Sequence, residues 1–218
     1  MLITIGVILW VIIVKTGIIM DDLYSLIRAI QFNFDSINKY WQISENYMPL
    51  NMKKKRVEDV YKDESLLLYI LNYRKFINDN ISEVLDIIQK LKLKSVINTR
   101  VKAYNSIQYK IQNYVNNHEH GKIPLKKCLN DIFGLRIILD MPLSYSEIKK
   151  FIDKEFPQLK CIESARGKYY AVHVYFGNDD NYKFQWELQI WNKNQEKINL
   201  DSHAKYKQDY TKWEKENI

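Results

Sequence analysis

Two runs late in the chain, 169–176 and 184–191, alternate residue by residue in the manner of half-buried β-strands. In the first, Tyr169, Ala171, His173 and Tyr175 share one face, while Tyr170, Val172, Val174 and Phe176 share the other. In the second, Glu187 and Gln189 project away from Trp186, Leu188 and Ile190. The stretch Gly177-Asn178-Asp179-Asp180-Asn181 between them is rich in turn residues. Any fold must therefore supply a sheet with one apolar face and one face of polar and aromatic groups.

The remaining pattern places this sheet among helices. A third strand is predicted over 131–139 (DIFGLRIIL), and further strands over 95–103 and 159–162. Helices are predicted over 105–115, with Asn105 as a cap, over 144–156, and over 192–216. From Asp21 to about Leu93 the period is helical, with Leu23, Ile27, Ile30 and Phe34, then Leu66, Tyr69, Ile70 and Tyr73. The expectation is an α+β chain in three parts: an apolar segment at 1–20, a helical region at 21–94, and a core at 95–218 with one mixed sheet.

Composition narrows the partners. With 33 Lys and Arg against 26 Asp and Glu, the net charge of +7 favours a polyanion: nucleotide, RNA or membrane surface. Two cysteines, Cys128 and Cys161, form neither a disulfide framework nor a zinc pattern and suit a reducing, cytoplasmic setting. Leu2 to Val14 is mostly apolar but shorter than the roughly 20 residues of a spanning helix. A start at Met20 and a membrane-associated segment are the two readings of this stretch.

Chemistry-bearing residues fall in four groups. Arg100 and Lys102 share a strand face by spacing, and Ser106 and Lys110 share a helix face just after it, a suitable cradle for a triphosphate. Alone, such cations are also what a basic chain carries on its surface. Asp131 and Arg136 lie five apart, so a regular strand would oppose them unless Gly134 supplies a bulge; an ordinary strand opened by a capping Asp is the other reading. Tyr169 offers a ring for stacking, with His173 on the same face. Glu187 can join Asp131 at a magnesium ion or serve as a base toward a hydroxyl, and it also suits a plain polar strand face.

In order, these groups resemble the synthetase domain of the RelA/SpoT family: R-x-K-x-x-x-S-x-x-x-K, D-I-x-G-x-R, Y-x-x-x-H, E-x-Q-I, and a terminal S-H-x-x-Y. Here they are Arg100, Lys102, Ser106 and Lys110; Asp131, Gly134 and Arg136; Tyr169 and His173; Glu187 and Gln189; Ser202, His203 and Tyr206. The resemblance implies a nucleotidyltransferase-like fold and Mg2+-dependent transfer of the β,γ-pyrophosphate of ATP to a ribose 3′-hydroxyl. It implies that Arg100, Lys102, Ser106, Lys110 and Arg136 bind ATP and that Asp131 and Glu187 hold the metal. Tyr169, His173, Gln189 and His203 would then line the acceptor.

Two departures fall on the acceptor side: Lys168 stands where the family has Gly, and Trp191 where it has Arg after E-x-Q-I. None of the four histidines is followed by Asp, so the His-Asp hydrolase of the long members is not expected. The chain stops before the helices through which tetrameric members assemble, so a monomer is expected. Two acceptors compete: the 3′ CCA end of tRNA, as for toxic members paired with a protein antitoxin, and GDP or GTP, giving alarmones. The charge and the altered acceptor side favour tRNA, with Lys53, Lys54, Lys55 and Arg56 as candidate contacts to its phosphates.

Overall fold

The computed structural model describes the backbone of residues 2–204 and the side chains of 19–204. Five strands form one sheet: β1 (Val96–Val101), β2 (Phe133–Leu139), β3 (Lys160–Arg166), β4 (Tyr169–Phe176) and β5 (Trp186–Asn192). Their order is β1-β2-β5-β4-β3, with β2 and β5 parallel and every other pair antiparallel. Helices α1 (Leu2–Gln42), α2 (Val57–Lys62) and α3 (Glu64–Lys90) precede the sheet. Helix α4 (Tyr104–Asn117) follows β1, α5 (Leu125–Cys128) precedes β2, and α6 (Tyr145–Glu155) leads to β3. Residues 196–204 are helical after β5. Tyr206 and the rest of the expected 192–216 helix lie outside the described residues.

One face of the sheet is the core. Leu135 and Ile137 on β2, Trp186 and Leu188 on β5, and Val172, Val174 and Phe176 on β4 are all buried. Helix α1 packs on this layer through Phe34, whose ring lies 5.4 Å from Trp186 and 6.4 Å from Phe176. Tyr73 of α3 accepts a hydrogen bond from Trp186 Nε1 at 3.0 Å and stacks on Phe184. Each such apolar side chain contributes about 1.5–3 kcal/mol by leaving water. Gly177 turns the chain out of β4 with φ of +73°, and a Cβ there would run into the Phe34 ring. The helical region and the sheet share a single buried cluster that runs from Leu23 to Ile190. Helix α1 is continuous across residue 20, where the apolar segment was expected to end. Among the described residues, no helix is long and apolar enough to cross a membrane.

Local expectations shift in four places. Helix α4 begins at Tyr104 with Ala103 as its cap, so Asn105 lies in the first turn and does not cap it. Strand β1 stops at Val101, although Lys102 N–H still bonds the Ile132 carbonyl at 2.8 Å. Strand β2 opens at Phe133 and pairs with both neighbours without a skipped residue, so Gly134 forms no bulge. Asp131 escapes the alternation problem by lying before the strand. Strand β3 is longer than expected, because a two-residue turn at Gly167-Lys168 folds it directly onto β4.

Candidate active site

The face of the sheet opposite the core carries the polar groups in rows set by the register. Arg100, Gly134, Glu187 and Tyr175 are aligned across β1, β2, β5 and β4. The next row holds Arg136, Gln189 and His173, and beyond it Ile138 pairs with Trp191, with Ala171 packed against them. Tyr169 lies at the far end of β4.

At the near end, Asp131 is ringed by cations. Lys102 Nζ donates to Oδ2 at 2.7 Å, Lys110 Nζ to Oδ1 at 3.0 Å, and the Arg100 guanidinium lies 3.6 Å away. Burial acts to raise the Asp131 carboxyl, but Lys110 and Lys102 hold it well below the usual carboxylate range. Burial, with Lys110 and Arg100 nearby, holds the Lys102 ammonium below the usual lysine range despite Asp131. Burial also opposes charge on Lys110, yet Asp131 raises it above that range. Three cations against one carboxylate leave the cluster at +2. Helix α4, which carries Ser106 and Lys110, starts here without a side-chain cap, so its positive dipole end adds to this potential.

Glu187 anchors the middle. It is 5% exposed, and Oε1 faces His173 Nδ1 at 2.9 Å and the Tyr175 hydroxyl at 3.0 Å. Gln189 Nε2 donates to Oε2 at 2.8 Å. A carboxylate oxygen only accepts, so Nδ1 carries the imidazole hydrogen and Nε2 is left to accept from the Tyr169 hydroxyl at 3.0 Å. One imidazole therefore joins Tyr169 to Glu187. Burial works to raise the Glu187 carboxyl, but the hydrogen bond from His173, with that from Gln189, keeps it low. Burial pushes the Tyr169 phenol up to about 12.

The far end is an aromatic wall. The Arg136 guanidinium lies 3.6 Å over the buried Trp191 ring and donates to Gln189 Oε1 at 3.2 and 3.3 Å. His203 stacks near Trp191 at 5.6 Å, and Tyr169 meets both rings nearly at right angles. Burial, with Arg136 and Arg100, pushes the His203 imidazole down to about 4. Trp191 Nε1 and His203 Nε2 are buried without a hydrogen-bond partner.

The sequence-based assignments thus gather on one face with two qualifications. Arg136 is engaged with Gln189 and Trp191, a row away from the Asp131 cluster. Lys53, Lys54, Lys55 and Arg56 lie in a turn at the opposite end of the sheet from Tyr169. Met52 N–H bonds Asn181 in the loop beyond Phe176, and the Lys55 carbonyl accepts from Leu125.

Two contributors escaped the sequence reading. Tyr175 shares the alternation of Tyr169 and His173, so its position was available, but its register with Glu187 was not. Asn199 is fully buried: its amide accepts from Tyr170 N–H at 3.0 Å and donates to the Tyr170 carbonyl at 2.8 Å. It pins the 196–204 helix, and with it His203, to β4 where pairing with β5 has ended. An Asn in a polar helix gives no signal of this in the sequence.

For magnesium, the donor set is two carboxylates on one face, and magnesium is commonly held by one or two carboxylates plus substrate phosphates. Asp131 keeps lone pairs beyond its two lysine bonds. At Gly134, between Arg100 and Glu187, no side chain rises from the face, and a Cβ there would make only ordinary contacts at 3.9 Å. The residues fit the ion.

A +2 cluster beside a second carboxylate is a site suited to a polyanionic ligand. The family model described as the region found in RelA/SpoT proteins matches residues 99–211, just over half of the chain, and the protein belongs to that family. Among solved structures it is similar to small alarmone synthetase 1 from Bacillus subtilis, at 17% identity over 68% of this chain and 82% of that one, TM-score 0.42. It is also similar to small alarmone synthetase 2 from Bacillus subtilis, at 18% identity over 69% and 82%, TM-score 0.38. No curated protein matches the sequence.

Proposed function

We propose that this protein is a Mg2+-dependent pyrophosphokinase that moves the β,γ-pyrophosphate of ATP onto a ribose 3′-hydroxyl, with the CCA end of tRNA as acceptor. The observation that carries the reading is the shared face. The cation-ringed Asp131 and the buried Glu187 stand together, and His173 ties Glu187 to the ring of Tyr169.

Arg100, Lys102 and Lys110 bind the triphosphate, with Ser106 one helical turn before Lys110. Their charge opposes the negative charge that builds on the phosphate oxygens during transfer. Asp131 would hold magnesium, with Glu187 the second carboxylate on the same face, and the ion would neutralise further phosphate charge. Tyr169 stacks on the acceptor base, and Gln189 and His203 complete that side. The acceptor oxygen attacks the β-phosphorus, its proton passes to Glu187 Oε2, and the bond to the α-phosphate breaks to release AMP. Oε2 suits this role because it accepts only from Gln189 and keeps one lone pair free, whereas Oε1 already accepts from both His173 and Tyr175.

The tRNA acceptor is supported by the charge of +7 and by Trp191 and Lys168, both on the acceptor side. Modification of a CCA end stops translation, so the protein would act in the cytoplasm as the toxin of a toxin–antitoxin pair. Incubation with γ-labelled ATP, magnesium and either deacylated tRNA or GDP and GTP tests this. Label on tRNA is expected. Label on guanine nucleotide alone would make the protein an alarmone synthetase, and label on neither would leave a binding module.

A further inference from the structure

Strands β1 and β3 are the two edges of the sheet. The β1 edge adjoins the Asp131 cluster, and β3 is the edge that lies beside Tyr169. Lys160, Ile162, Ser164 and Arg166 pair with Tyr175, His173, Ala171 and Tyr169, so they leave the sheet on the same face as the site. Lys160 and Arg166 are exposed, as is Lys168 in the turn beside Tyr169. Among the described residues none of these three cations is held in a salt bridge, whereas Lys62, Lys149, Lys154 and Lys193 each pair with a carboxylate. The Lys53–Arg56 turn is poorly placed by comparison. It adjoins the Phe176 end of β4, and the strand's seven steps back to Tyr169 span about 24 Å.

We propose that the β3 edge and its turn, through Arg166 and Lys168, hold the phosphates of a single-stranded RNA 3′ end whose base stacks on Tyr169. This rests on the RNA-acceptor reading above. Single-stranded nucleic acid is commonly bound by such a combination, a basic track beside an aromatic stacking platform.

The test compares the full-length protein with Arg166→Gln/Lys168→Gln, using labelled ATP and deacylated tRNA over a range of salt. Both side chains are exposed, so an unchanged melting temperature and unchanged ATP binding serve as the folding control. The variant should lose about tenfold or more in kcat/KM for tRNA. Its log–log salt slope should flatten by about 1.4, or about 0.7 for each single-strand phosphate that is no longer neutralised. If wild type labels tRNA and the variant matches it in rate and slope, the β3 surface is overturned while the acceptor reading stands. If wild type labels guanine nucleotide and not tRNA, the acceptor reading fails and this inference fails with it.

Discussion

The Arg136 guanidinium carbon lies 3.6 Å from the centre of the Trp191 ring. At that distance the half-buried arginine makes a cation–π contact with a buried ring, which gives it a fixed place in the wall beside Gln189. Trp191 is fully buried, so Trp191→Ala should cost about 3–5 kcal/mol through the cavity and the missing stack. Trp191→Phe keeps an aromatic face for Arg136 and removes the unpartnered indole N–H, so it should cost less than about 1.5 kcal/mol. Urea unfolding of the two variants measures the difference. Equal losses would show that a phenyl face does not replace the indole beneath Arg136.

Gly134 should show stability and activity moving in opposite directions. A Cβ there meets only ordinary contacts at 3.9 Å, so Gly134→Ala should leave stability unchanged or raise it by about 0.5–1 kcal/mol. The same methyl would occupy the floor between Arg100 and Glu187 that the triphosphate needs. ATP affinity by calorimetry should fall about tenfold or more while the melting temperature holds. A variant that binds ATP normally would place the phosphates elsewhere.

The alternation of 169–176 and 184–191 is enough to tell which side chains share the polar face, because strand period is a local property. Asp131 stands out in the sequence as a key acid, but its route to that face does not. The start of β2 depends on pairing with β1 and β5, which no local pattern encodes. The motif places Arg136 with ATP, and only the register shows it beside Trp191. Asn199 is illegible in the sequence, since a clamp on the Tyr170 backbone depends entirely on how the last helix meets β4.

Asn199 should act on acceptor binding as well as on stability. Asn199→Ala leaves the Tyr170 N–H and carbonyl without this partner, at about 1–3 kcal/mol for each group left unsatisfied. It also frees the helix that carries His203. Below the melting transition, KM for the acceptor should rise severalfold with ATP affinity little changed. Parallel loss of both would mean that Asn199 serves stability alone.

His203 should leave a signature in the pH dependence of stability. Burial, with Arg136 and Arg100, takes its folded pKa to about 4, against about 6.5 for an exposed histidine. Between those values the unfolded chain binds the proton and the folded chain does not. Stability should therefore fall as pH drops through 6.5 toward 4, and this contribution should level off below. His203→Gln should flatten that part of the profile in chemical denaturation. An unchanged profile would show that His203 titrates as an exposed group.

The bond from Tyr169 through His173 to Glu187 separates two roles that the same tyrosine performs. Its ring is the stacking surface, and its hydroxyl, 3.0 Å from His173 Nε2, orients the imidazole whose other nitrogen faces Glu187. Tyr169→Phe removes only the second role and Tyr169→Ala removes both. Phenylalanine should therefore keep acceptor KM within a few-fold of wild type while lowering kcat, since the imidazole loses its outer hydrogen bond and Glu187 its fixed partner. Alanine should abolish acceptor use while ATP binding stays largely intact, because the Asp131 cluster stands at the other end of the face. Steady-state kinetics with the acceptor varied, paired with ATP calorimetry, reads both effects. Equal loss of ATP and acceptor binding in the alanine variant would show that Tyr169 is a structural residue of the aromatic wall, since Trp191 and His203 both pack against it.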